Sequence, residues 1–118
     1  MSNWGYHLVL DVQECQKGKA SDPLYITKFI KELVVKIDMI AFGEPQLIHF
    51  ANGTEKAGWT VIQLIETSSI VGHFLDRSGD LYLDIFSCKN FDESVVKTLI
   101  KEYFNPVNIH SRFLNRQA

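Results

Sequence analysis

The chain reads as an α+β protein: an antiparallel sheet with two helices on one face, in the order β-α-β-β-β-β-α-β. Three observations carry this reading. Apolar residues recur at helical spacing in two separate stretches, Ile26 to Ile37 and Val95 to Tyr103. Elsewhere they alternate, as half-buried strands require. The strands between Trp59 and Ser87 follow one another with little more than tight turns, the pattern of a long antiparallel run.

Gly5 to Gln13 forms the first strand, with Leu8 and Leu10 on one face and His7, Val9 and Asp11 on the other. A polar loop, Glu14 to Ala20, leads to Ser21-Asp22-Pro23, a capping side chain followed by proline at an early helical position. Ile26, Phe29, Ile30, Leu33, Val34 and Ile37 line one face of the helix, and Gly43 is expected to punctuate its end. Pro45 to Phe50 reads as a short strand, and Ala51 to Gly58 as a turn with Asn-Gly chemistry. Strands Trp59 to Ile65 and Ser69 to Leu75 follow, then the turn Asp76 to Asp80 and the strand Leu81 to Ser87. Asp92 caps a second helix, Asn105-Pro106 ends it, and Val107 to Leu114 forms a last strand. The sheet face without helices must meet water or a partner. Trp59, Phe74, Tyr82 and Phe86 alternate through the strands, so a homodimer through that face is expected.

Composition narrows the function classes. The 118 residues suit one domain spanning 1–118, long enough to bury a core without disulfides or metal. With 46% hydrophobic and 22% charged residues, the chain has the balance of a soluble globular protein. A net charge of −2 offers no broad basic surface for nucleic acid, and the basic run Arg112 to Arg116 reads as a solvated tail. No apolar stretch approaches the roughly twenty residues a membrane span needs. The first residues, MSNWGYH, lack the basic and apolar regions of a signal peptide, and two cysteines make no disulfide framework. A reducing cytoplasmic setting is therefore expected.

The chemistry concentrates in Glu66 to Cys88, ETSSIVGHFLDRSGDLYLDIFSC. Ser68 and Ser69 follow an apolar strand, His73 stands five residues after Ser68, and Cys88 fifteen residues after His73. These types can supply a nucleophile, a base and a proton donor if neighbouring strands bring them together. Each also has a plain structural use: the serines in a turn, His73 as a satisfied strand histidine, Cys88 as a small buried hydrophobe. No CxxC or HxxxH spacing suggests a metal, and no Gly-x-Ser-x-Gly suggests a hydrolase. Asp84 and Asp11 read as edge or pocket carboxylates, Asp11 with a possible part in holding a cationic substrate.

The same segment resembles the small bacterial and archaeal S-adenosylmethionine decarboxylases, pyruvoyl-dependent lyases of polyamine and spermidine biosynthesis. The strand Leu83-Asp84-Ile85-Phe86-Ser87-Cys88 is similar to the family's Asp-Val-Phe-Thr-Cys strand, and the interval from His73 to Cys88 equals the family's. Counting back from His73 lands on Ser68, and Thr60 falls where the family has a serine. The chain departs from the pattern at Thr67 (a glutamate in the family), at Ser69 (a histidine) and at Leu75-Asp76-Arg77 (Trp-Pro-Glu).

The resemblance implies a zymogen that cleaves itself between Thr67 and Ser68. Ser68 attacks the Thr67 carbonyl to give an ester, and elimination leaves a pyruvoyl group made from Ser68. His73 would assist ester breakdown, Thr60 would polarise the scissile peptide, and Ser69 is the alternative nucleophile. In the mature enzyme the pyruvoyl carbonyl would form a Schiff base with a small-molecule amine substrate, and Cys88 would return the proton. Phe50 resembles a family aromatic that stacks on adenine; Glu66 and Asp11 complete the expected substrate-binding set. Two alternatives stand beside this reading: a pyruvoyl decarboxylase of ornithine or arginine, and a non-catalytic homologue that binds or regulates a partner.

Overall fold

The computed structural model describes residues 3–118. Its elements are β1 (Gly5–Gln13), α1 (Pro23–Lys36), β2 (Ala41–Phe50), β3 (Gly58–Ile65), β4 (Ser68–Leu75), β5 (Leu81–Ser87), α2 (Glu93–Phe104) and β6 (Asn108–Arg116). The six strands make one sheet in the order β2-β3-β4-β5-β1-β6, antiparallel at every seam. The first strand thus inserts between the fifth and the last.

Alternation divides the sheet cleanly. Leu8, Leu10, Ile70, Phe74, Leu81, Leu83 and Ile85 are fully buried and pack with the apolar faces of both helices. Each such side chain contributes about 1.5–3 kcal/mol relative to exposure. Phe29 of α1 sits edge-on to Phe104 of α2 at 4.9 Å and to Phe74 of β4 at 6.4 Å, joining both helices to the sheet. Of the aromatics expected on the uncovered face, Tyr82 and Phe86 are there, while Phe74 and Trp59 turn into the core. Ile62 and Leu64 lie on that face with Tyr82 as exposed apolar residues, and Phe86 is half-buried.

Both helices begin as the capping signals direct: the Asp22 carboxylate accepts from the Leu24 and Tyr25 amides, and Asp92 accepts from Ser94. The end of α1 is different from the expectation. The helix stops at Lys36, not near Gly43, because Asp38 takes a left-handed φ of +59°. Hydrogen bonds from the Asp38 amide to the Val35 carbonyl and from the Met39 amide to the Val34 carbonyl complete a Schellman motif. Lys89 holds Asp38 in place, its ammonium 2.6 Å from the Asp38 carbonyl oxygen and 2.9 Å from the carboxylate. Gly43, with φ +75°, instead lies within β2 where the register slips between Phe42 and Gln46. It serves a bulge, and the buried Gln63 amide donates to its carbonyl at 3.1 Å. Stopping the helix early lets β2 start at Ala41 rather than at Pro45; β6 likewise runs on to Arg116 rather than stopping at Leu114.

The far end of β2 is tied to the turn after β4. His49 Nε2 lies 2.6 Å from Asp76 Oδ2, with the imidazole edge-on to Trp59 at 4.9 Å. The other carboxylate oxygen, Asp76 Oδ1, is buried without a hydrogen-bond partner, so His49 carries most of this carboxylate's compensation. The hydrogen bond to Asp76 raises the His49 pKa above its ordinary value.

Two expectations follow from this architecture. A Cβ on Gly58 would stand 2.1 Å from the Phe74 carbonyl oxygen, a clash with backbone that no rotamer relieves. Gly58→Ala should therefore lower unfolding free energy by about 3 kcal/mol in urea titration. For His49 the folded-state pKa exceeds the unfolded one, so the pair's stabilisation is full below the unfolded value and lost as pH rises through the folded value. The gap in thermal midpoint between wild type and His49→Gln should be widest at about pH 5–6.5 and close toward alkaline pH.

Candidate active site

Two strand pairings meet at Ser68. It pairs with Ile65 across the turn made by Glu66 and Thr67, and with Ser87 on β5. Two-residue hairpin turns ordinarily use a positive φ at one or both turn residues. Here neither Glu66 nor Thr67 has one; Ser68 does, at +153°. Side-chain-bearing residues rarely adopt that conformation, which costs on the order of 1–3 kcal/mol and persists only when the surroundings enforce it.

The enforcing groups come from the end of β5 and from the link between α1 and β2. The Cys88 amide donates to the Thr67 carbonyl oxygen at 2.9 Å, and the Glu66 amide donates to the Ile40 carbonyl at 2.9 Å. The Ser87 hydroxyl, fully buried, donates to Thr67 Oγ1 at 2.7 Å, and the Thr67 hydroxyl donates to Met39 Sδ at 3.3 Å. The carbonyl preceding Ser68 is thus held by a backbone donor, in the geometry by which a peptide N–H can stabilise charge developing on that oxygen.

The cysteines separate by environment. Cys15 is buried, and burial with the nearby Asp80 carboxylate pushes its thiol up to about 12, which leaves it inert near neutral pH. Cys88 is exposed, immediately past β5 beside Thr67, so it is not the small buried hydrophobe that composition alone would suggest.

His73 lies elsewhere. It pairs across strands with Thr60, their Nδ1 and Oγ1 atoms 3.1 Å apart, on the uncovered face. It stands five positions along β4 from Ser68. At a rise of about 3.3 Å per residue the two are roughly 16 Å apart along one strand. The sheet therefore joins Ser68 to Cys88 and His73 to Thr60 but keeps the two pairs at opposite ends. Ser69, opposite Leu64 and Phe86, points to the uncovered face near the Ser68 end. Exposed Glu66 is at the same end; exposed Phe50 and Asp11 lie toward the His73 end, Asp11 beside Tyr82 and His110.

Sequence reasoning missed several groups. Ser87 was in view only as part of a strand, and nothing in the sequence singled out Met39. Arg116 is no solvated tail: its guanidinium stacks over Phe86 at 5.3 Å and reaches His7 Nδ1 at 3.1 Å. The other nitrogen of His7 lies 3.0 Å from Asp84. Trp4 stacks on Phe86 at 6.0 Å, and these residues border an open cavity of about 360 Å³. Among the described residues no three His, Cys, Asp or Glu side chains gather as a metal site.

A search of curated proteins returned no match. The crystal structure of the adenosylmethionine decarboxylase from Aquifex aeolicus VF5 superposes with a TM-score of 0.81 at 19% identity, covering 100% of this chain and 94% of that one. That likeness shows the fold. A family model described as S-adenosylmethionine decarboxylase matches residues 6–117, nearly the whole chain. The chain belongs to the S-adenosylmethionine decarboxylase family.

Proposed function

We propose that this protein is a self-processing S-adenosylmethionine decarboxylase of polyamine biosynthesis, working as a cytoplasmic homodimer. The observation that carries the proposal is the state of the Thr67-Ser68 peptide: φ of +153° at Ser68, with the Thr67 carbonyl oxygen bound by the Cys88 amide. Strain relieved by bond cleavage and a donor aimed at the developing oxyanion both lower the barrier to attack by an adjacent hydroxyl.

In the reaction the Ser68 hydroxyl adds to the Thr67 carbonyl carbon, the C–N bond breaks, and the amide nitrogen takes the proton. A base then removes the Ser68 α-proton, and Thr67 leaves as a carboxylate. The resulting enamine tautomerises and is hydrolysed, releasing ammonia and leaving a pyruvoyl terminus. When present, that group supplies an electrophilic carbonyl that accepts the electron pair left as carbon dioxide departs. Ser68 as its precursor is supported by its register opposite Ser87, the residue before Cys88. The exposed Cys88 thiol would return a proton to the substrate carbon. Trp4 and Phe86 offer aromatic faces to a flat heterocycle near Ser69, and Glu66, in the β3–β4 turn at the same end of the sheet, offers a carboxylate for a cationic group.

The separation of His73 from Ser68 favours a composite site. A two-fold dimer through the uncovered sheet face would set the His73–Thr60 end of one copy over the Ser68–Cys88 end of the other. Phe50 and Asp11, at the His73 end, would cross over with it. The exposed Ile62, Leu64 and Tyr82 supply apolar surface for such an interface.

Intact-mass measurement on freshly purified protein tests the processing step: fragments 1–67 and 68–118 are expected, and Ser68→Ala should remain whole. Cleavage one residue later would assign Ser69; a persistently whole wild-type chain would favour the non-catalytic homologue. Carbon dioxide release should occur with S-adenosylmethionine, and release only with ornithine or arginine would favour the alternative substrate class. Cys88→Ala retains the backbone donor, so it should still cleave while carbon dioxide release falls by about 10²-fold or more. Co-expressing Ser68→Ala with His73→Ala should restore cleavage of the His73→Ala chain, because one site per mixed dimer is then complete; no restoration would put both groups back in one chain.

A further inference from the structure

We infer that Ser87 is a positioning residue for self-cleavage, acting on the scissile carbonyl through the side chain of Thr67. The inference rests on the self-processing reading above. The Cys88 amide fixes the Thr67 carbonyl oxygen and the two pairings of Ser68 hold the far side of the peptide, which leaves the Thr67 residue itself to be anchored. Attack by Ser68 needs the plane fixed as well, since the hydroxyl must approach the carbonyl carbon out of that plane. A second anchor on the same residue supplies the constraint, and Thr67 has one.

The anchor is a directional chain. The Lys89 amide donates to Ser87 Oγ at 3.0 Å, Ser87 donates to Thr67 Oγ1 at 2.7 Å, and Thr67 donates to Met39 Sδ at 3.3 Å. Its polarity is fixed at both ends: an amide can only donate and a thioether can only accept. Ser87 Oγ also lies 3.7 Å from Met39 Sδ, but its single proton serves the much shorter bond to Thr67. Ser87 is fully buried and Met39 nearly so, which leaves little water to compete. The two anchors come from successive residues, Ser87 through its side chain and Cys88 through its backbone, so β5 grips both the side chain and the carbonyl of Thr67. A glutamate at position 67 could not act as the middle link, because an ionised carboxylate has no proton to pass to Met39. The hydroxyl chain is matched to the threonine this protein carries.

The test is the rate of appearance of the 1–67 and 68–118 fragments in wild type, Ser87→Ala, Ser87→Thr, Thr67→Val and the double variant Ser87→Ala/Thr67→Val, with thermal midpoints measured alongside. Ser87→Ala and Thr67→Val should each slow cleavage by about 10²-fold, and Ser87→Thr should restore it. The double variant should be no slower than either single, since both break the same chain. Thr67→Val keeps the side-chain shape in a half-exposed turn, so it remains informative where Ser87→Ala loses stability. Wild-type rates in Thr67→Val, or fully multiplicative losses in the double variant, would overturn the positioning role alone. A wild-type chain that never cleaves would instead remove the self-processing reading and this inference with it.

Discussion

Ser68 is bound into two ladders at once, to Ile65 across a two-residue turn and to Ser87 on the next strand. Either pairing alone would leave the residue free to relax. Together they close the hairpin before the turn residues have completed the reversal, and the remaining rotation falls on Ser68 as a φ of +153°. The strain is local, but what maintains it is not. The carbonyl before it is held from the end of β5, the turn amide from Ile40, and the Thr67 hydroxyl from Met39. Met39 is fixed in turn by the Schellman motif that ends α1, with Asp38 pinned by Lys89. A helix terminus, a strand end and a turn thus form one mechanical unit around a single peptide bond.

How much of this was legible in the sequence depended on how local each determinant is. β1 and β5 were readable to the residue because strict alternation bounded by polar loops leaves no other register. Asp22 and Asp92 were readable as caps because capping is decided within one turn. Gly43 misled for a physical reason: glycine marks any left-handed position, and here Asp38 took the helix stop while Gly43 took a bulge. Trp59 and Phe74 misled because aromatic alternation does not say which face is inward.

Within the candidate site, the chemical residue types were visible but their partnerships were not. The resemblance gave Ser68 and His73 one task, whereas an extended strand separates residues five apart by far more than a hydrogen bond. The links that matter cross between elements distant in sequence: Cys88 to Thr67, Ser87 to Thr67, Arg116 to His7 and Phe86. Arg116 shows the limit well, since a basic residue near a chain end looks solvated until the sheet order lays β6 along β1.

That sheet order carries a topological consequence for a severed chain. A cut after Thr67 would assign β1, β2 and β3 to one fragment and β4, β5 and β6 to the other. Across the sheet the fragments would then interleave: β2 and β3 of the first, β4 and β5 of the second, β1 of the first again, and β6 of the second. Three seams of backbone hydrogen bonds would hold the pieces together, with α1 and α2 sharing one core across the break. Neither piece could depart without the other unfolding, because β1 would have to be withdrawn from between two strands of its counterpart. Peptide continuity at this point is therefore dispensable to the architecture, and a fold so woven can lose a covalent bond at its most strained residue and keep its shape.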